Sequence, residues 1–166
     1  RTVLGDFEDR IRGLANVHTL LSESEWQPIK TSDLCKQIIR GSIENLLVFQ
    51  SIDLTVNSSK ILINSNQAHH LTLVLNELTM NTIKHALKKR ETARITVDIK
   101  QRKNIVQLCF CDDGPGYPTE MLSGDRSKIG VGFELIEGIV EHSLNGKVRI
   151  NNDYGAKTVI KFENEI

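Results

Sequence analysis

The hydrophobic positions change period several times along the chain, and each change marks a new element. Leu4, Phe7, Ile11, Leu14, His18 and Leu21 recur at alternating spacings of three and four, the seam of a helix that packs against another helix. The seam reads as one arm of a helical hairpin or bundle, with the partner expected outside this sequence or from another copy. After Trp26-Gln27-Pro28 a second helical pattern starts, with Ser32 or Asp33 as N-cap, and runs through Leu34, Ile38, Ile39, Ile43, Leu46 and Leu47.

The period then falls to two. Residues 49–56 alternate as a half-buried strand, 57–60 turn, and Ile61-Leu62-Ile63 forms a short return strand that the turn predicts as a hairpin partner. A long helix is predicted over 67–88. Residues 94–100 and 105–111 flank Arg102-Lys103-Asn104 as a hairpin, a helix covers 132–144, and 147–152 with 158–162 form a last hairpin. Helices and strands mix without regular βαβ alternation. The predicted fold is therefore α+β, a two-layer α/β sandwich with helices on one face of a mostly antiparallel mixed sheet, preceded by an N-terminal helix. Residues 1–26 separate as a helical segment and 27–166 as the main domain.

Composition removes some function classes. Twenty-one basic residues balance 21 acidic ones, so no global field steers the molecule toward nucleic acid or an anionic membrane, and an anion site has to be built locally. No apolar run approaches the ~20 residues of a bilayer span. The three cysteines, Cys35, Cys109 and Cys111, form no C-x-x-C pair. Cys109 and Cys111 share one face of a strand and are expected as free core thiols rather than as a disulfide or metal site.

The densest chemistry lies in Asn76-Glu77-Leu78-Thr79-Met80-Asn81-Thr82-Ile83-Lys84-His85-Ala86. At about 100° per residue, Glu77, Asn81, Lys84 and His85 fall within an arc of roughly 100°, and Leu75, Leu78, Ile83, Ala86 and Leu87 lie to the other side. One side packs and the other can hold a ligand. Taken alone, such a stripe also fits an ordinary solvated helix face.

Downstream, the glycines cluster where strands end. Asp112-Asp113-Gly114-Pro115-Gly116 follows an apolar strand and presents a carboxylate at its end; Gly130-Val131-Gly132 opens a helix, behind Arg126 and Lys128; Tyr154-Gly155-Ala156-Lys157-Thr158 precedes the last strand. Glycines at 114 and 116 permit a sharp turn and close approach of a flat ligand. Free N–H groups at a helix start suit phosphate. Each segment alone is a common turn, and neither a P-loop nor a dinucleotide fingerprint is present.

In this order the segments resemble the ATP-binding domain of sensor histidine kinases, with the N, G1 and G2 boxes of the superfamily that includes gyrase, Hsp90 and MutL. The resemblance spans about residues 34–162. Upstream, residues 10–21 are similar to the second helix of the dimerisation and phosphotransfer hairpin of the HisKA-2 group. The related HWE group has a Trp-containing motif that the G1 region here lacks, which points to HisKA-2. The resemblance implies a Bergerat ATP-binding fold with ATP and Mg²⁺ as cofactors. Asn81 would ligate Mg²⁺ and Lys84 would reach the phosphates. His85 would sit in the nucleotide site or at its rim, and Glu77 would act as catalytic base. Asp112 would accept from the adenine amino group, with Gly114 and Gly116 lining the base. Gly130, Val131 and Gly132 would wrap the phosphates beside Lys128, and the last turn would contribute Ala156 where Thr is common. Residues 117–129 would form a nucleotide lid. Asp113 stands where Asn is usual and is expected to point away from the base.

The resemblance further implies a response-regulator receiver domain as partner, a homodimer through the hairpin, and a cytoplasmic domain of a soluble or membrane-anchored parent. His18 lies in the seam without the charged residues that follow an acceptor, His69 and His70 precede the N-box helix as surface or capping residues, and His142 lies on an exposed helix face. The acceptor His is thus expected upstream of Arg1. The alternatives are an anti-sigma-type serine kinase and a non-catalytic nucleotide-binding module of the same fold.

Overall fold

The structure, a computed structural model, describes residues 27–44, 50–124 and 130–166. The predicted N-terminal helix with its seam and His18, the end of the second helix at Leu46 and Leu47, and the basic pair Arg126 and Lys128 lie outside the described residues. A short strand β1 (Ile29–Lys30) leads into helix α1 (Thr31–Ile43). Leu34, Cys35, Ile38 and Ile39 form its buried face, the spacing expected of an amphipathic helix. Neither predicted N-cap serves as one. The Thr31 and Ser32 hydroxyls donate instead to the carbonyls of Ile61 and Ser59, at 3.1 and 3.2 Å.

Those bonds draw residues 59–61 toward α1 and account for a departure from the predicted topology. Strand β2 (Ser51–Val56) does not fold back on β3 (Leu62–Ile63). β3 pairs antiparallel with β1, and β2 pairs in parallel with β4 (Thr92–Arg102), Ser51 opposite Thr92 and Val56 opposite Val97. The expected hairpin is absent because the chain between β2 and β3 crosses to the start of α1.

The main sheet has five strands in the order β2-β4-β5-β7-β6. β5 (Ile105–Asp112), β6 (Lys147–Asn152) and β7 (Ala156–Glu163) join it through antiparallel pairings. Among the described strands only β2 runs parallel to its neighbour, so the sheet is mixed and mostly antiparallel, as expected. Ile95, Val97 and Ile99 of β4, Val106, Leu108 and Phe110 of β5, and Ile160 and Phe162 of β7 bury one face. Helices cover that face.

The central helix is α2 (Ser65–His85). Asn64 caps it by accepting from the Gln67 N–H at 2.8 Å, a bond that satisfies one orphan amide of the first turn. The helix starts two residues earlier than predicted, and His69 and His70, expected to precede it, lie inside it with their rings edge to face at 5.6 Å. It also ends earlier, because the chain turns at Lys89 with φ +63°. After a single turn α3 (Thr119–Leu122), helix α4 (Val131–Gly138) packs on α2 and passes into a π-helical turn over Ile139–Ser143. His142 is exposed there.

One cysteine expectation is corrected. Cys35 is fully buried, whereas Cys109 and Cys111 are half-buried. Both alternate with the buried Leu108 and Phe110 of β5, so they occupy the sheet face away from the helices.

Candidate functional site

Three elements converge on the carboxylate of Asp112 at the end of β5. From α2, the Thr82 hydroxyl donates to Oδ2 at 3.1 Å. From the following turn, the Gly114 N–H donates to Oδ1 at 2.8 Å, and from the start of β7 the Ala156 N–H approaches the same oxygen at 3.3 Å. An ionised carboxylate offers about four lone-pair positions. Three inward donors fix its plane and leave one acceptor position for a ligand.

The glycines around it are required by close approach. A Cβ on Gly114 would stand 2.7 Å from the Ala86 Cβ of α2, and one on Gly155 would stand 1.9 Å from the Asp112 carbonyl oxygen. No side chain fits at either distance. Gly116, at φ +83°, faces the Asn152 amide, which clamps the next residue from both sides. Asn152 accepts from the Tyr117 N–H at 2.7 Å and donates to the Tyr117 carbonyl at 3.0 Å.

Tyr117 ties this loop to its neighbours. Its hydroxyl hydrogen-bonds that of Thr158 on β7, and its ring meets Phe133 of α4 edge to face at 6.0 Å. Burial pushes the phenol up to about 12, against the opposing effect of the Thr158 bond.

The adjacent Asp113 is engaged elsewhere. Arg90 approaches its Oδ2 at 2.9 Å and its carbonyl at 2.7 Å, and the Arg94 N–H donates to Oδ1 at 2.8 Å. Burial raises the carboxyl, but the Arg90 and Arg94 hydrogen bonds and the Arg90 charge outweigh it and hold it below the usual carboxylate range.

Along α2 the polar stripe is graded. Glu77 is 6% exposed, Asn81 is half-buried, and Lys84 and His85 in the last turn are exposed. Asn81 immediately precedes the Thr82 that grips Asp112, and Glu77 stands one turn earlier. Asn76 turns to α1 instead, where its Oδ1 accepts from the Ser42 hydroxyl at 2.9 Å. Gly130 caps α4, its carbonyl accepting from the Phe133 and Glu134 amides at 2.9 and 3.1 Å. The first N–H groups of a helix have no intrahelical partner and suit an anion. Lys128 lies outside the described residues.

Direct contacts thus unite Asp112, Gly114 and Ala156, and the Tyr117–Phe133 contact brings α4 alongside. Thr82, Asn152, Tyr117 and Gly155 were not singled out as site residues from the sequence. Gly155 lay in the last glycine turn, Tyr117 at the start of the expected lid, and Thr82 among the polar residues of the N-box helix, on its packing side; Asn152 left no signal. Among the described residues, no three His, Cys, Asp or Glu side chains gather as a metal site. No described helix is long and apolar enough to cross a membrane.

Residues 66–165 match the family model described as histidine kinase-, DNA gyrase B- and HSP90-like ATPase. Residues 1–46 match that of HWE histidine kinase. The second match favours the HWE group over the HisKA-2 group, to which residues 10–21 and the missing Trp motif had pointed.

The chain is 24% identical over 142 residues to a blue-light-activated histidine kinase of Rhizobium johnstonii, covering 86% of this chain and 38% of that protein. It is 23% identical over 150 residues to the sensor histidine kinase PdtaS of Mycolicibacterium smegmatis, covering 86% of this chain and 28% of that protein. It therefore spans well under half the length of either relative. Among solved structures, the blue-light activated histidine kinase of Erythrobacter litoralis superposes with a TM-score of 0.75 at 14% identity, over 97% of this chain and 49% of that one. The catalytic domain of the histidine kinase ThkA gives 0.65 at 15% identity, over 83% of this chain and 95% of that one. These likenesses agree on the two-layer sandwich.

Proposed function

The chain belongs to the histidine kinase-, DNA gyrase B- and HSP90-like ATPase family, and from that premise we propose that it is the ATP-binding catalytic domain of a two-component sensor histidine kinase. The supporting observation is the Asp112 carboxylate, held by Thr82, Gly114 and Ala156 with one acceptor position left over. An adenine amino group is a donor that fits that position. Gly114 and Gly116, which carry no side chains, would line the flat base beside it.

The phosphates would lie toward the start of α4. There the backbone N–H groups of Val131 and Gly132 behind Gly130, with Lys128 and Lys84, would meet their charge. His85 would form part of the rim. Asn81 offers a hard amide oxygen, the donor type that Mg²⁺ takes from protein when phosphates and water supply the remaining positions. When bound, Mg²⁺ would neutralise phosphate charge. Glu77, nearly buried one turn from Asn81, would accept the proton of the attacking imidazole. The γ-phosphoryl group would pass to a His outside this sequence and then to an Asp of a receiver domain, within a cytoplasmic homodimer joined by the helical hairpin.

The test is phosphorylation of the protein together with its preceding helical segment by labelled Mg-ATP. Acid-labile, base-stable label is expected, the behaviour of phosphohistidine. Acid-stable label would instead establish a serine kinase of the anti-sigma type. No label with intact nucleotide binding would establish a non-catalytic module. Asn81→Asp is expected to weaken the Mg²⁺-dependent step more than adenine recognition.

A further inference from the structure

The open face of the sheet, opposite the helices, carries two thiols in contact. Cys109 and Cys111 are two residues apart on β5, half-buried, with their sulfurs 3.6 Å apart. In register, Cys109 lies between Asp98 of β4 and Val159 of β7, and Cys111 lies between Thr96 and Lys157. Asp112, the hub of the candidate site, is the next residue.

We propose that Cys109 and Cys111 form a peroxide-responsive dithiol whose oxidation to an intrastrand disulfide loosens the seat of Asp112. Its bearing on nucleotide binding rests on the reading of Asp112 as the adenine acceptor. A redox-sensing cysteine needs thiolate character, access to solvent and a resolving thiol nearby. Cys109 has all three. Its contact with the Cys111 sulfur outweighs partial burial and the Asp98 charge, aided by Lys157 and Lys100, and holds its thiol below the usual range. The same contact, with burial, raises Cys111, which suits the resolving role. Cys35 is the contrast: burial pushes its thiol up to about 12, and it is fully enclosed.

The steps balance. The Cys109 thiolate attacks a hydroperoxide oxygen, the O–O bond breaks, an alcohol or water departs with the proton, and a sulfenic acid remains on Cys109. The Cys111 sulfur then attacks the Cys109 sulfur. The S–S bond forms, the S–O bond breaks, and the leaving hydroxide takes the Cys111 proton as water. Two thiols lose two electrons in all and the peroxide gains them.

Strand geometry supplies the consequence. Residues i and i+2 of a strand have Cα atoms about 6.6–6.8 Å apart, at the upper limit of the roughly 4.4–6.8 Å that a disulfide spans. Closing the bond has to draw the two Cα atoms together and pucker the end of β5. The displaced residue is Asp112, so its bonds to Gly114 and Ala156 lengthen. A strained, accessible disulfide is also readily reduced, as a reversible switch requires.

The test treats the intact chain with hydrogen peroxide, blocks remaining thiols and maps the products by mass. The proposal expects a peptide holding residues 109 and 111 that has lost two hydrogens, with Cys35 still a thiol. It also expects a dimedone-trapped sulfenic acid at Cys109 in Cys111→Ser. Sulfinic or sulfonic acids without the disulfide overturn it. Amide hydrogen exchange at Gly114 and Ala156 should rise at least several-fold on oxidation and return with dithiothreitol. Unchanged exchange overturns the link to Asp112, whether or not nucleotide binds. A fluorescent ATP analogue should lose about tenfold in affinity on oxidation. Failure of the reduced chain to bind the analogue would instead remove the nucleotide-site reading, and the thiol and exchange results would still decide the switch.

Discussion

The Thr82 hydroxyl lies 3.1 Å from Oδ2 of Asp112 and 3.3 Å from the Leu78 carbonyl in the preceding turn of its own helix. A hydroxyl has one hydrogen to give, and the carboxylate is the nearer and stronger acceptor. One side chain thereby joins helix α2 to the end of strand β5, where the sequence showed two separate motifs.

Thr82→Val keeps the shape and removes the donor. A hydrogen bond to a charged group is worth about 1.5–3 kcal/mol, and the half-burial of Asp112 places the expected loss of stability near the lower end. ATP affinity should fall several-fold, because the carboxylate loses one of the donors that fix its plane. Asp112→Ala should abolish binding. Urea denaturation with nucleotide titration separates the two effects, and equal affinity in wild type and Asp112→Ala would remove the nucleotide-site assignment.

The glycines divide into two kinds. Gly155→Ala places a Cβ against the Asp112 carbonyl at a backbone angle of φ +150°, and should destabilise by about 2–4 kcal/mol through steric strain. At Gly130 an added Cβ meets no atom of the described residues within 4 Å. Gly130→Ala should therefore change stability by less than about 0.5 kcal/mol, so a loss of affinity there reads the phosphates directly. A fall in melting temperature for Gly130→Ala as large as that for Gly155→Ala would contradict this division.

Tyr117 makes the loop sensitive to alkali. Its folded phenol is raised to about 12, and an unfolded phenol ionises near pH 10. A raised folded value means the stabilisation is fully present below about pH 10 and is lost as pH rises from there toward 12. Tyr117→Phe loses the Thr158 bond and should be less stable at neutral pH. It should also lack this alkaline decline, and denaturant midpoints at pH 8 and pH 11 measure the difference. Parallel declines in both proteins would assign the effect to another group.

The candidate site was legible in proportion to how local its chemistry is. The stripe from Glu77 to His85 follows from helical spacing, and Asp112 with its glycines follows from a carboxylate at a strand end beside residues without side chains. Thr82 was hidden because it lies on the packing side of its helix, where spacing alone predicts contact with the core. Asn152 and Tyr117 were hidden because their amide and backbone groups meet across 35 positions of chain. Cys109 and Cys111 were given one face correctly, but alternation does not state which face a sheet buries.

By itself the sequence determined helices α1, α2 and α4, most of the strands, the order of the candidate-site motifs and the shared face of the two cysteines. All of these arise from periodicity or backbone permission within a few residues. Only the tertiary structure decided that β2 lies parallel to β4, that β3 joins β1 and that Thr82 holds Asp112. Strand partners and hydrogen-bond partners are chosen by which distant segments can be buried together, and no short stretch of chain encodes that choice.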